Sequence, residues 1–189
     1  KYIPLASTAN AKKAAELILS GAAEDLSREG LARTPERFEK AMSKLTEGYR
    51  LSLEQVIGEG IFRAESGGLV SVREVEFYSL CEHHLLPFWG KASVAYYPDE
   101  TIVGLSKIPR ILNLFARRFQ VQERLTRQVA DSLMSAVKPR AVAVRIRAQH
   151  LCMMMRGVEK QGSDTITEIH VGLDRLNEVE RDRLLRSIE

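Results

Sequence analysis

The stretch "AVAVRIRAQHLC", residues 141–152, alternates apolar and polar side chains and ends on a histidine and a cysteine. Successive side chains of a β-strand point to opposite faces, so this alternation predicts a strand with one face toward a core. The predicted inward face carries Val142, Val144, Ile146 and Ala148. If the alternation continues to the end of the stretch, His150 and Cys152 lie on the same inward face.

Other short segments with the same composition surround this strand. They are rich in valine, isoleucine and tyrosine, which favours strands: "LVSVREVEFYSL" (69–80), "KASVAYYP" (91–98), "TIVGL" (101–105) and "DTITEIHVGL" (164–173). Two helices are predicted among them, "SKIPRILNLFARRF" (106–119) with Ser106 as its cap, and "VQERLTRQVADSLMSAVK" (121–138), which Pro139 ends. The segment "LNEVERDRLLRSI" (176–188) predicts a closing helix.

The N-terminal part is predicted to be helical from about Ser7 to Gly58, with a first helix that ends near Gly30. A second helix is predicted to have Thr34 as its N-cap and Pro35 at its first position. We therefore expect an α+β fold with a helical N-terminal extension, residues 1–62, and a main domain with the sheet, residues 63–189.

Composition limits the function classes. The 189 residues are 44% hydrophobic and 28% charged, with a net charge of +3, which predicts no nucleic-acid partner. No apolar run approaches the roughly 18 residues that a membrane span needs, and we expect neither a signal peptide nor a membrane partner. The chain contains two cysteines, so a reducing compartment, the cytoplasm, is expected.

A candidate metal site begins in "SLCEHHLLPF", residues 79–88. Cys81 and His84 are three residues apart, a spacing at which one turn brings both side chains to one ion. Cys152 is the candidate for a third ligand, and two thiolates with one imidazole suit zinc and leave a fourth position open. The residues alone also allow simple core packing or a disulfide between the two cysteines.

Several charged side chains are candidates for binding an anion. Ser106, Lys107 and Arg110 open a helix, where backbone N–H groups and the helix dipole favour a phosphate. Arg37 and Lys40 lie three apart in an early helix, and Arg156 follows Cys152 by four residues. Taken singly, a cation of this kind is more often an ordinary solvated surface charge than part of a binding site.

Four strings, in this order and spacing, carry a family resemblance: "SLCEHHLLPFWGK", "VGLSKIPRI", "QVQERLT" and "HLCMMMRGV". Together they resemble the GTP cyclohydrolase I family over about residues 34–167. The resemblance implies a tunnelling fold, which is an antiparallel sheet with two helices on one face. It further implies a decamer of two pentamers with active sites between subunits. The implied reaction converts GTP and water to formate and 7,8-dihydroneopterin triphosphate, the first step toward folate-type pterins.

The resemblance also implies roles for individual residues. The zinc ligands are Cys81, His84 and Cys152. Proton transfer falls to His150, which protonates the purine, and to His83, while Ser106 lies near the ribose. Glu123 recognises guanine, with Gln122 beside it. The triphosphate is held by Lys107, Arg110, Arg156, Arg37 and Lys40.

Two alternatives of other classes remain at this stage. A pteridine synthase with the same fold is expected to hold its zinc with three histidines, unlike the mixed set here. A structural zinc protein needs a fourth protein ligand, for which Glu82 is the nearby candidate. The segments "RAESGGLV" and "TEIHVGLDR" depart from the family pattern, and we interpret His170 as a structural or surface histidine. The resemblance leaves allosteric regulation open.

Overall fold

A five-stranded sheet with two helices on one face forms the centre of the chain. A computed structural model describes residues 9–189. The strands are β1 (Ile61–Arg63), β2 (Val70–Cys81), β3 (Pro87–Tyr97), β4 (Thr101–Val103), β5 (Phe119–Gln120), β6 (Ala141–His150) and β7 (Thr165–Val171). The helices are α1 (Ala9–Gly21), α2 (Thr34–Leu45), α3 (Leu53–Ile57), α4 (Lys107–Ala116), α5 (Gln122–Val137), α6 (Leu151–Met154) and α7 (Glu178–Arg186).

The order of strands in the sheet is β5-β2-β3-β6-β7. All neighbours are antiparallel except β5, which runs parallel to β2. Across β3 and β6, Phe88 lies opposite His150 at one end, and Tyr96 lies opposite Val142 near the other. We call these the histidine end and the tyrosine end of the sheet. A strand rises about 3.3 Å per residue, so Phe88 and Tyr96 lie about 26 Å apart.

The core lies between the sheet and the helices α4 and α5. The inward face predicted for β6 is confirmed, since its four apolar residues are buried in this core. The opposite face is covered at the tyrosine end by α7, whose Leu184 packs with Tyr97 and Ala143. Toward the histidine end, that opposite face carries charged side chains such as Lys91 and Arg147. The two faces therefore differ as the alternating sequence requires.

The N-terminal helices differ from prediction in detail. The first helix ends at Gly21 instead of near Gly30, and its expected start at Ser7 lies outside the described residues. The prediction that Thr34 is an N-cap is wrong, because Arg33 holds that position and Thr34 begins α2. The Thr34 hydroxyl donates back to the Gly30 carbonyl over 3.4 Å, and no side chain accepts a capping hydrogen bond from the first turn of α2.

The α+β class and the antiparallel sheet with two helices on one face are confirmed. The division of the chain at residue 62 stays a prediction, and β1, which pairs with β4, lies across it. Within residues 9–189, none of the helices combines the length and the apolar character that crossing a bilayer requires.

Candidate active site

A tight turn between β2 and β3 presents two of the predicted metal ligands. The Leu85 N–H donates to the Cys81 carbonyl over 2.8 Å, and the Cys81 N–H donates to the Leu86 carbonyl over 2.9 Å. Leu85 has a φ of 56°, a left-handed conformation that a leucine rarely adopts. A strained backbone conformation of this kind persists only where the surrounding structure enforces it, and it is common at functional sites. The turn holds Cys81 and His84 at the histidine end of the sheet.

The second cysteine reaches the same place by another route. The prediction that strand alternation continues to Cys152 is wrong, because β6 ends at His150 and residues Leu151–Met154 form one helical turn. That turn nevertheless brings the Cys152 sulfur to the cluster. The ligand atoms of Cys81, His84 and Cys152 all lie within 4.8 Å of one another.

The chemistry of this donor set fits a zinc ion. Burial raises the pKa of the Cys152 thiol, and the neighbouring Cys81 sulfur raises it further, while Arg156 acts in the opposite direction. Two close sulfurs are costly to ionise together, and a bound divalent cation removes that cost. One imidazole and two thiolates are ligands that zinc prefers. The three residues can therefore hold zinc, and both cysteines are free thiols.

Two further predicted residues border the cluster. The Arg156 guanidinium donates a hydrogen bond to Nε2 of His84 over 2.7 Å. Nδ1 of His83 lies 3.7 Å from the Cys81 sulfur. Both side chains are exposed, so they line the cluster on its open side.

Glu82, the candidate for a fourth ligand, is held by another residue. Its two carboxylate oxygens accept hydrogen bonds from the two terminal nitrogens of Arg124, over 2.6 and 2.8 Å. This pairing lowers the pKa of Glu82. Among the described residues the cluster contains three ligands and not Glu82, an arrangement that leaves a coordination position open. Sequence reasoning missed Arg124, because no spacing rule connects it with Glu82, 42 residues away.

His150 lies beside the cluster in a partly buried position. Its ring stacks on Phe88 with the centroids 4.6 Å apart and an angle of 2° between the planes. The Nε2 atom lies 2.8 Å from Oε1 of Gln122. Burial lowers the pKa of His150, and the negative charge of Glu123 opposes this lowering. The inward direction predicted for His150 is thus observed, and Phe88 is a neighbour that sequence reasoning missed.

The start of α5 completes the histidine end. Cys81 pairs with Gln120 across β2 and β5, and the Glu82 N–H donates to the Gln120 carbonyl over 2.9 Å. These contacts attach the first turn of α5 to the turn that carries the metal ligands. Gln122 is buried there, whereas Glu123 is exposed and close enough for its charge to act on His150.

The predicted helix-start cations lie at the tyrosine end instead. The Tyr96 hydroxyl accepts a hydrogen bond from the Val103 N–H, three residues before Ser106. Nζ of Lys107 donates to the Val56 carbonyl over 3.3 Å. It is the other end of α4 that approaches the cluster, since Phe119 pairs with Leu80. Ser106 and Lys107 are thus separated from the cluster of their own chain by most of the length of the sheet.

Arg110, Arg37 and Lys40 are not joined to the cluster either. Arg110 lies one turn into α4, beside Leu51 and Val56. Arg37 and Lys40 are exposed on α2, which packs against α1. Of the five predicted triphosphate contacts, the described structure brings only Arg156 to the predicted metal ligands.

The chain matches one protein-family model and several proteins that carry the name of that family. The family model described as GTP cyclohydrolase I matches residues 11–189, which include every candidate site residue. A protein of Leptospira biflexa named GTP cyclohydrolase 1 is 51% identical over 170 residues, covering 90% of this chain and 93% of that protein. A protein of Deinococcus radiodurans with the same name is 50% identical, covering 90% of this chain and 79% of that protein. Another, of Methylococcus capsulatus, is 55% identical, covering 80% of this chain and 82% of that protein.

Proposed function

The chain belongs to the GTP cyclohydrolase I family, which catalyses the first step of pterin and folate biosynthesis, and we propose that Cys81, His84 and Cys152 bind its zinc ion. The observation that carries this proposal is the convergence of two sulfurs and one imidazole from two distant segments within 4.8 Å. When bound, zinc supplies a Lewis acid that activates water at neutral pH. The substrate of the family is GTP, and the products are formate and 7,8-dihydroneopterin triphosphate.

His150 and His83 handle protons beside the metal. His150 is fixed between Phe88 and Gln122, so its ring has a defined position toward the substrate. Burial lowers its pKa, which makes the protonated ring a stronger acid toward the purine nitrogen next to the reacting carbon. His83 is exposed on the open side of the cluster, where it exchanges protons with solvent and with the later ring-opened intermediates.

Glu123 selects guanine. Its carboxylate lies in the first turn of α5, exposed and beside His150. A carboxylate accepts hydrogen bonds from the ring N–H and the amino group on one edge of guanine. Adenine presents a different donor pattern on that edge and leaves the charge unpaired, which costs binding free energy.

A neighbouring copy of the chain supplies the remaining triphosphate contacts. Ser106 and Lys107 follow Val103, which bonds the hydroxyl of Tyr96, and Tyr96 lies about 26 Å along β3 from Phe88. A nucleoside triphosphate bound at the cluster of one chain therefore does not reach them in the same chain. The neighbouring copy also supplies Arg110, Arg37 and Lys40 to the triphosphate. Its Ser106 lies near the ribose. A ring of subunits, such as the predicted decamer of two pentamers, brings the tyrosine end of one chain to the histidine end of the next.

The other classes considered from sequence are less consistent with this geometry. A structural zinc site needs a fourth ligand, and both oxygens of Glu82 are engaged by Arg124. A zinc site of three histidines does not match a cluster with one. The cytoplasm remains our predicted compartment, because free thiols at a metal site persist in reducing surroundings.

One assay tests the proposed function. Purified protein is analysed for zinc and incubated with GTP, and formate is measured together with the pterin product, with ATP as the matched control nucleotide. We expect about one zinc per chain and formate release from GTP but not from ATP. A zinc-loaded protein that releases no formate from GTP contradicts the proposal.

A further inference from the structure

The side chain of Gln122 is buried inside the protein and uses all of its polar groups there. It is 2% exposed. Its amide nitrogen lies 3.1 Å from the Ile146 carbonyl, 2.9 Å from the Thr165 carbonyl and 3.1 Å from the Thr167 hydroxyl. Its amide oxygen lies 2.8 Å from Nε2 of His150. The amide nitrogen and the amide oxygen therefore both have partners within the protein.

These partners determine which way the amide points. Two of the three oxygens around the amide nitrogen are backbone carbonyls, which accept hydrogen bonds and never donate them. If the amide were turned over, its oxygen would face the carbonyls of Ile146 and Thr165, and its NH₂ group would face His150. The observed orientation therefore follows from the fold and not from the histidine.

The orientation of Gln122 in turn determines the tautomer of His150. The amide oxygen only accepts, so the hydrogen bond of 2.8 Å requires a proton on Nε2 of His150. Nδ1 of the neutral ring then carries the lone pair. Phe88 stacks parallel to the ring and fixes its plane, so the tautomer and the ring plane are set by separate neighbours.

A hydrogen bond between two threonine hydroxyls holds one of the partners of the Gln122 amide in place. The Thr167 hydroxyl, which accepts from Gln122, lies 2.6 Å from the Thr126 hydroxyl. Thr126 also lies 2.8 Å from the backbone carbonyl of Gln122, one turn earlier in α5. Thr126 is fully buried, so this support is shielded from water. Such buried and fully satisfied networks hold one conformation.

We propose that Gln122 is a positioning residue, which holds His150 as the Nε2–H tautomer and leaves Nδ1 as the nitrogen that exchanges a proton with the substrate. This proposal rests on the proposed function of His150. A proton taken up at Nδ1 gives the imidazolium, and its transfer to a substrate nitrogen returns the neutral ring with Nε2 still protonated. Guanine recognition by a side chain at this end then falls to Glu123, and the Gln122 side chain does not contact the base.

The test combines a spectrum with kinetics on the zinc-loaded enzyme. Magic-angle-spinning NMR of protein labelled with ¹⁵N-histidine reports which ring nitrogen carries the proton, and the His150 signal is identified by its absence in His150→Ala. We expect a protonated Nε2 in the native protein and a mixture of tautomers in Gln122→Met. In that variant kcat should fall about tenfold to a hundredfold, less than the roughly 10²–10⁴ for losing the whole acid. The KM for GTP and the zinc content should stay unchanged.

Gln128→Met is the matched control, since it removes an amide from the same helix that bonds Gln120 and not His150. It should leave both the His150 signal and kcat unchanged. A native His150 protonated on Nδ1 would overturn the proposal, even if Gln122→Met failed to fold. A Gln122→Met enzyme with a raised KM, an unchanged kcat and an unchanged His150 signal would overturn it in favour of a guanine contact. If the native enzyme released no formate, the proposed function would fail, whereas the spectrum would still decide the tautomer.

Discussion

The two ends of the central sheet are built very differently. At the histidine end, one chain supplies a metal-ligand cluster, a stacked histidine and a buried glutamine, each held by contacts within that chain. At the tyrosine end, Ser106 and Arg110 are exposed, and no contact joins them to the cluster of their own chain. The comparison indicates that the residues proposed for the reacting centre converge within one chain, whereas those proposed to hold the rest of the nucleotide lie apart from them in that chain.

The largest expected effect is the loss of a metal ligand at the histidine end. Cys152→Ser should lose most of its zinc, and activity should fall roughly 10³-fold or more, because the Lewis acid contributes several kcal/mol. Cys81→Ser and His84→Ala should do the same. Zinc content by elemental analysis and formate release measure both effects. Full zinc occupancy in Cys152→Ser would rule out the three-ligand cluster.

A smaller effect is expected at His150, which borders the three proposed metal ligands and is not one of them. His150→Ala should keep zinc and bind GTP, while turnover falls by about 10²–10⁴. Glu123→Ala should instead weaken GTP binding and reduce the preference for guanine. Calorimetry with GTP and formate release separate the two.

His170→Ala is the control, because this exposed histidine lies on β7 opposite Ala143, toward the tyrosine end. It should resemble the native enzyme. Loss of zinc in His150→Ala would show that His150 is itself a ligand, and normal turnover would show that it only packs in the core.

At the tyrosine end, the effect should fall on binding alone. Lys107→Met keeps the apolar stem that packs near Gly60 and removes the charge. We expect kcat/KM for GTP to fall about 10- to 100-fold, the usual cost of one charge-assisted contact, with zinc content unchanged. Lys138→Met, an exposed lysine just after α5, is the control. Equal kinetics for the two variants would remove Lys107 from the site.

The smallest effect concerns stability at the tyrosine end. Arg140 pairs with Glu180 at the start of α7 and lowers the pKa of this carboxyl below its ordinary value of 4.5. A depressed pKa gives stabilisation that is present above pH 4.5 and is lost as pH falls through the folded-state pKa. Thermal melting of the native protein and of Glu180→Gln should therefore differ slightly at pH 7 and converge in acid. A difference that grew on acidification would contradict this assignment.

Much of the fold could be predicted, because local patterns determine it. The alternation in β6 and the proline after α5 are signals carried by neighbouring residues. Helix α5 lies where it was expected, and β6 begins where it was expected but ends at His150. The predicted ends of helices were less accurate where neighbouring groups compete for the same hydrogen bond. Thr34 has the composition of an N-cap, but its hydroxyl bonds a preceding carbonyl instead.

The site was only partly predictable, for a related reason. Sequence patterns indicated the metal ligands, although Cys152 arrives through a helical turn and not by strand alternation. The partners of Gln122 come from β6 and β7, and Arg124 meets Glu82 across 42 residues. Such contacts depend on the register of distant segments, which no local spacing reveals.

The most direct measurement tests whether the two ends that form one site belong to different chains. Chains carrying Cys152→Ser are co-expressed with chains carrying Lys107→Met, and formate release per assembled particle, at a GTP concentration well below KM, is compared with that of each variant alone. Random assembly leaves about a quarter of shared sites with two native halves, so activity should rise well above either variant. The matched control pairs Cys152→Ser with Glu123→Ala, both at the histidine end, and should show no recovery. Recovery in the control, or none in the Cys152 and Lys107 mixture when Lys107→Met alone is impaired, would contradict a site shared in this way.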